Sequence, residues 1–263
     1  MNVSSFARRA IKASVLPLGV RQRVRSGDVV ILLYHRVGAG AREIDLPTQA
    51  FARQMQYLAD HDGAVTLDAA LDGTSNGGIV VTVDDGYRDF LDHVVPTLVK
   101  YEVPALLYLA TGLVHGGGPA AGNDGEALTW SGLREAVATG FVTIGAHTHS
   151  HADLSRVSEH EAEEEMRRSK ELIEDNLSGA CDHFAYPWAV SSPGADRVVR
   201  RLFHSAALLW QTNRRGLIDR YRLGRTPVLR SDSDAFFRAK VKGILDKEAL
   251  VYRLLRKGPW RRG

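Results

Sequence analysis

Between Val29 and Leu209, short apolar or β-branched runs alternate with longer stretches whose apolar residues recur at helical spacing. No other feature constrains the fold as strongly. Strands are expected at Val29–Tyr34, Ile79–Val83, Ala105–Ala110, Val142–Ala146, His183–Tyr186 and Ala206–Leu209. Helices are expected near Pro47–His61, Tyr87–Glu102, Trp130–Thr139, Ser158–Asn176 and Gly194–Phe203. Alternation of this kind indicates an α/β architecture with a parallel sheet. In parallel barrels, functional residues collect at the C-terminal ends of the strands. At 263 residues, 44% hydrophobic and 25% charged, the chain can bury a sizeable core. A single cysteine, Cys181, excludes an intramolecular disulfide framework. No stretch approaches the roughly 20 apolar residues of a transmembrane helix.

Two of these strands deliver metal-binding residue types at their exits. Gly77-Gly-Ile-Val-Val-Thr-Val83 leads to Asp84-Asp85-Gly86, and Phe141-Val-Thr-Ile-Gly-Ala146 leads to His147-Thr-His-Ser-His151. Two imidazoles and one carboxylate suit a divalent ion such as zinc, and a catalytic site leaves a position open for water. Bound water ionises near a pKa of about 7, so a second carboxylate alongside can act as a base. Adjacent strand residues point to opposite faces. At a strand end the chain turns, and neighbouring Asp side chains can converge, one as ligand and one as base. Taken alone, Asp-Asp-Gly is also a common solvated turn, and a His-rich segment can be a surface loop. Each motif supplies what the other lacks. His149 should point away from His147 and His151, in a supporting or purely structural role.

The motifs resemble a known family. Val81-Thr-Val-Asp-Asp-Gly86 is similar to the Thr-Phe-Asp-Asp-Gly motif of the polysaccharide deacetylases with a NodB homology domain, the group like carbohydrate esterase family 4. Ile144-Gly-Ala-His-Thr-His-Ser-His-Ala-Asp-Leu154 resembles their His-Ser/Thr-x-x-His motif, and Phe184-Ala-Tyr-Pro-Trp188 resembles their third motif. Ile31-Leu-Leu-Tyr-His-Arg-Val37 looks like the opening strand of the branch that begins with Tyr-His. Tyr221-Arg-Leu-Gly-Arg-Thr-Pro-Val228 resembles a late strand, so the similarity covers roughly residues 29 to 230 in the family's order. The resemblance implies an irregular (β/α)7 barrel. It implies that Asp85, His147 and His151 hold the metal and that Asp84 is the base. The Trp188 N–H would help bind the oxyanion. Tyr186, Pro187 and Arg225 stand as substrate-contacting candidates.

Two departures from the family pattern matter. Many relatives draw a general acid from a late Leu-x-His motif, but this chain has no histidine after His204. In the Tyr-His branch the N-terminal histidine takes that place, which makes His35 the candidate acid, beside its plainer reading as a satisfied imidazole at a strand end. Many relatives also carry, in the third motif, an arginine that hydrogen-bonds the base; Ala185 stands there. Arg225 is a substitute for it, although surface solvation is its simpler reading. No clear match to the family's Asp-x-x-Asp-Trp motif is found. Trp210 lies in the right region and reads equally well as an ordinary core residue.

Charge divides the chain into 1–27, a basic extension; 28–232, the catalytic domain; and 233–263, a basic helix and tail. Arg8, Arg9, Lys12, Arg21, Arg23 and Arg25 occupy the first segment without an acid, and Arg253, Arg256, Lys257, Arg261 and Arg262 occupy the end. The net charge is only +3, so the body between them is acidic. Nucleic acid is therefore not an expected partner. Basic ends suit peripheral contact with an anionic membrane, with Val3, Phe6, Ala10 and Ile11 as a weak apolar face, or they are solvated tails. Lys12 and Pro17 interrupt what would be a signal peptide, and a cytoplasmic protein, peripheral to the inner membrane face, is expected. The Gly-rich stretch from His115 to Gly125 reads as a loop near the barrel mouth. Ser158–Asn176, dense in Glu, Arg and Lys, reads as a solvated helix without a function.

The expected activity is metal-dependent removal of N-acetyl or O-acetyl groups from a glycan or lipid-linked sugar. Zinc is the first choice of ion, with cobalt, manganese or nickel as others that such a site accepts. Two alternatives stay open. One keeps the metal but cleaves a formamide or other C–N bond, since the motifs encode the cleavage and not the sugar. The other is a carbohydrate-binding protein with a vestigial site. Oligomeric state is not legible in the sequence.

Overall fold

Strand β1, Val29–Tyr34, is apolar and buried at every position, as a strand must be when it is covered on both faces. The computed structural model describes residues 27–61, 63–114, 126–209, 213 and 216–243. Most of both basic ends, Trp210 and the His115–Gly125 stretch lie outside the described residues. After β1 come the two-residue strands β2, Arg36–Val37, and β3, Asp45–Leu46, which pair with each other. The main strands that follow are β4, Gly78–Asp85; β5, Ala105–Leu109; β6, Val142–Ala146; β7, His183–Ala185; β8, Ser205–Ala207; and β9, Arg225–Pro227. They form a parallel 7-stranded sheet in the order β8-β7-β6-β5-β4-β1-β9. Leu223, just before β9, bridges Ala207 of β8 through Leu208 N–H to Leu223 O at 2.7 Å and Leu223 N–H to Ala206 O at 2.9 Å. The sheet thereby curls into a nearly closed seven-strand barrel, the expected (β/α)7 fold.

The helices are α1, Thr48–His61; α2, Leu67–Leu71; α3, Val95–Tyr101; α4, Trp130–Ala138; α5, Glu159–Leu177; α6, Pro193–Leu202; and α7, Asp234–Val241. Their apolar stripes, such as Phe51, Met55 and Leu58 of α1, pack on the outward-facing strand residues Leu32, Val81, Val83 and Leu107. A second, smaller core fills the barrel: Val29, Ile31, Val80, Leu106, Tyr108, Ala185, Ala207 and Leu223, with Leu67 and Ala70 of α2 across its N-terminal end. His183 ties that end together. One ring nitrogen lies 2.9 Å from Ser205 Oγ and the other 3.2 Å from Asp68 Oδ1 on α2.

Sequence and structure differ in instructive places. The helix expected at Tyr87–Glu102 opens as a π-helical turn, Phe90–Val94, in which Val95 N–H reaches back to Phe90 O. Pro96 has no N–H to give to the carbonyl four residues before it, and the widened turn accommodates that gap. Strand β8 starts one residue and ends two residues earlier than expected and β5 and β7 end one residue earlier, while β4 runs two residues further, so that both aspartates belong to it. Strands of two or three residues and the five-residue α2 are too short to show a period.

Candidate active site

Asp84 and Asp85 end β4 side by side, and they should point to opposite faces. Asp85 escapes the alternation because its φ is 80°, a left-handed conformation that a non-glycine residue holds only when its surroundings impose it. Gly86 follows with φ 103°, and a Cβ there would lie 2.4 Å from Leu109 Cδ1. The chain therefore swings both carboxylates to the mouth of the barrel. Asp84 is buried, and Asp85 is partly open.

His147 enters from the end of β6. Its Nδ1 lies 2.8 Å from Ala185 O, which requires the proton on Nδ1 and leaves the Nε2 lone pair free. That Nε2 lies 3.8 Å from an oxygen of Asp84 and 3.8 Å from one of Asp85, and His151 Nε2 lies 3.5 Å from Asp85 Oδ1. The ligand atoms of Asp85, His147 and His151 all fall within 4.8 Å of one another. The two separations from Asp85, 3.8 and 3.5 Å, are of the size that one ion with bonds of about 2.0–2.2 Å can bridge. The donor set and the tautomer of His147 both fit a divalent cation. His149, as expected, turns away: its Nδ1 lies 3.0 Å from Thr111 Oγ1.

Arg225 lies where surface solvation cannot apply. It is 2% exposed, and its two terminal nitrogens donate to the two oxygens of Asp84 at 2.6 and 2.8 Å, while Nε donates to Leu208 O at 3.2 Å. Its guanidinium sits over the Tyr108 ring at 5.2 Å. Room for that pair comes from small neighbours. A Cβ on Gly145 would meet Tyr108 at 2.9 Å, and Ala185 and Ala207 line the same space. Arg225, two strands from Asp84 with only β1 between them, thus fixes the Asp84 carboxylate, where the sequence offers Ala185 in the family's arginine position.

The three candidates for substrate contact, Tyr186, Pro187 and Arg225, are all buried. Arg225 has every guanidinium nitrogen engaged within the protein. Tyr186 is 1% exposed, and its hydroxyl donates to Asp196 of α6 at 2.8 Å. Strand alternation explains it: with Ala185 facing into the barrel, the next residue faces the helices. Pro187 is buried at the start of a single 3-10 turn, Pro187–Ala189. Trp188, in that turn, has φ 59° and ψ 6°. Its indole packs edge-on against His151 with ring centroids 4.8 Å apart, and Nε1–H donates to His151 O at 3.3 Å.

The electrostatics separate the two carboxylates. Burial pushes Asp84 up, but Arg225, then His147, outweigh it, and its carboxyl is held below the usual range. Burial pushes Asp85 up to about 6, opposed by His35 and reinforced by Asp84. Burial drives His147 down to about 3, so the ring is neutral near pH 7. His35, just beyond β1, is lowered by burial, raised by Asp85 and Asp84 and lowered again by Arg225 and His151. The candidate acid therefore shares one electrostatic neighbourhood with both carboxylates and with His151.

Comparison with known proteins agrees with this geometry. The family model described as polysaccharide deacetylase matches residues 72–205, just over half of the chain. The curated Bacillus subtilis (strain 168) protein YxkH, whose name places it among polysaccharide deacetylases, is 28% identical over 165 residues, 60% of this chain and 55% of that protein. The chain thus spans about half the length of that curated relative. A polysaccharide deacetylase from Bacillus cereus superposes with a TM-score of 0.71 at 22% identity, covering 82% of this chain and 69% of that one. The Streptococcus pyogenes deacetylase PplD, solved with acetate, gives 0.71 at 20% identity over 83% and 99% of the two chains. IcaB from Ammonifex degensii gives 0.69 at 25% identity over 86% and 99%. With a nearly closed seven-strand barrel, paired strand-end motifs and a family match across both of them, the chain belongs to the polysaccharide deacetylase family.

Proposed function

We propose that this chain hydrolyses acetyl groups on a carbohydrate, foremost the N-acetyl amide of a glycan or lipid-linked sugar, with one divalent ion as cofactor and zinc as the first choice. The convergence of Asp85, His147 and His151 beside an independently anchored Asp84 carries this reading. An ion held by those three residues would supply Lewis acidity, polarising the acetyl carbonyl and bringing the pKa of water toward about 7. Asp84, kept ionised by Arg225, takes the proton of the attacking water. His35 gives a proton to the departing amine nitrogen; burial lowers its pKa, and Asp85 and Asp84 work against that shift. The N–H of Trp188 would help bind the developing oxyanion. Arg225 supplies the contact to Asp84 that Ala185, in the family's arginine position, lacks, which weighs against a vestigial site.

Protein stripped of metal, reloaded with zinc, cobalt, manganese or nickel and offered chitooligosaccharides and lipid-linked N-acetyl sugars should release acetate only when loaded. Asp85→Ala, His147→Ala and His151→Ala should each lose metal and activity together. Metal affinity should fall as pH drops through about 6, where Asp85 takes up a proton that the ion must displace. Formate or ammonia in place of acetate would favour cleavage of another C–N bond. Zinc binding without hydrolysis of any amide or ester would favour a binding protein.

His35→Ala should leave zinc content unchanged and slow amide hydrolysis by about 10²–10⁴-fold. An activated ester such as p-nitrophenyl acetate, whose leaving group needs no proton, should be nearly unaffected. Equal losses on amide and ester would remove His35 from the acid role.

A further inference from the structure

Helix α5 carries a charge on its inward side. Ala162, Met166, Ser169 and Ile173 form its buried stripe, and Glu165 falls beside them, half-buried. Its Oε2 accepts from the N–H groups of His149 at 3.0 Å and Ser150 at 2.7 Å, and its Oε1 accepts from the Ser150 hydroxyl at 2.9 Å. All three bonds grip the segment between His147 and His151.

That segment is one that would relax without a clamp. Thr148 and His151 both have left-handed backbones, φ 62° and 58°, which side-chain-bearing residues keep only where the surroundings over-determine them. From the barrel side the segment is held by hydrogen bonds from Thr111 N–H to Thr148 O at 3.3 Å and Gly112 N–H to His149 O at 2.7 Å. Glu165 holds it from the helix side, and a carboxylate with three donors has little freedom to move. The two imidazoles are thereby spaced by a backbone fixed from both faces.

We propose that Glu165 is a positioning residue for the cation site, acting through His149 and Ser150 to fix the spacing of the His147 and His151 imidazoles and so the site's affinity for a divalent ion. This rests on the reading of Asp85, His147 and His151 as metal ligands. Glu165 touches neither the ion nor the reacting atoms, so its removal should weaken binding and distort ligand geometry without removing the base.

The test compares full-length wild type, Glu165→Ala, Glu165→Gln and, as a control on the same helix, Glu164→Ala, whose carboxylate pairs with the exposed His160. Zinc affinity is measured by competition with a chromophoric chelator, ligand geometry by the visible absorption of the cobalt-loaded protein, and folding by circular dichroism. Glu165→Ala should bind zinc about 10–100-fold more weakly and shift the cobalt bands. Glu165→Gln, which keeps one acceptor oxygen and turns an amide N–H₂ on the donors, should fall between. Glu164→Ala should match wild type, and saturating zinc should restore turnover in the Glu165 variants. If Glu165→Ala fails to fold, Glu165→Gln carries the same comparison. Wild-type zinc affinity and cobalt spectrum in the Glu165 variants would overturn this proposal and leave the metal reading standing. A wild-type protein that binds neither zinc nor cobalt would overturn both.

Discussion

Asp84→Asn should keep the metal and lose turnover by about 10²–10⁴-fold, the range that a positioned general base contributes. The substitution preserves shape and removes the proton acceptor, while the ligand atoms of Asp85, His147 and His151 stay where they are. It also leaves the buried Arg225 guanidinium facing a neutral amide with one acceptor oxygen. Breaking a buried pair by removing one partner costs about 3–5 kcal/mol, and the retained oxygen puts Asn at or below the lower end. Zinc content by elemental analysis, acetate release and urea unfolding measured on one preparation separate these effects. Activity within tenfold of wild type, with zinc bound, would show that Asp84 is not the base.

Arg225→Ala should damage both stability and chemistry. Both partners are almost fully buried, with side-chain exposures of 2% and 3%, and the variant strands an unpaired carboxylate inside the barrel at a cost of about 3–5 kcal/mol. With the guanidinium gone, burial governs Asp84 and moves its carboxyl upward, so that less of the base is ionised near neutral pH. The acid limb of kcat/KM should therefore move to higher pH. Stability has the matching sign. A carboxyl depressed in the folded protein stabilises it fully above its unfolded pKa of about 3.9, and that contribution is lost as pH falls through the lower folded value. The gap in unfolding free energy between wild type and variant should be open at pH 7 and close in acid. Arg225→Lys should restore only part of the loss, because one ammonium cannot make two parallel bonds to a carboxylate. An unchanged pH profile in Arg225→Ala would mean that the arginine does not tune the base.

The metal-binding residue types were legible because each motif is local. A β-branched run ending in Asp84-Asp85-Gly86 and another ending in His147 place the residues at strand exits before any long-range contact is known. The position of His149 followed from the same local geometry. Strand alternation also places Tyr186 toward the helices once Ala185 faces inward. Arg225 offered no such signal. It lies 141 residues from Asp84 in sequence, and an arginine on a late strand reads as solvated until the barrel is seen to curl. Glu165 was hidden for the opposite reason: its helix is crowded with charges, and the i, i+4 pairs Arg167–Glu171 and Lys170–Glu174 are what such a helix is expected to form.

The alternating pattern determined the class of fold by itself, because a buried parallel strand must be apolar on both faces and a crossover helix on only one. The same pattern determined that carboxylates and imidazoles, ligand types for a cation, stand at strand ends. Which aspartate is anchored, and by what, was decided only in three dimensions. Pairing β9 with β1 puts Arg225 beside Asp84. Closing the sheet brings the residues before β9 against β8, and the small residues Gly145, Ala185 and Ala207 leave room inside. Bidentate pairing at 2.6 and 2.8 Å depends on strands far apart in the chain lying on either side of β1. Local spacing carries no information about that arrangement.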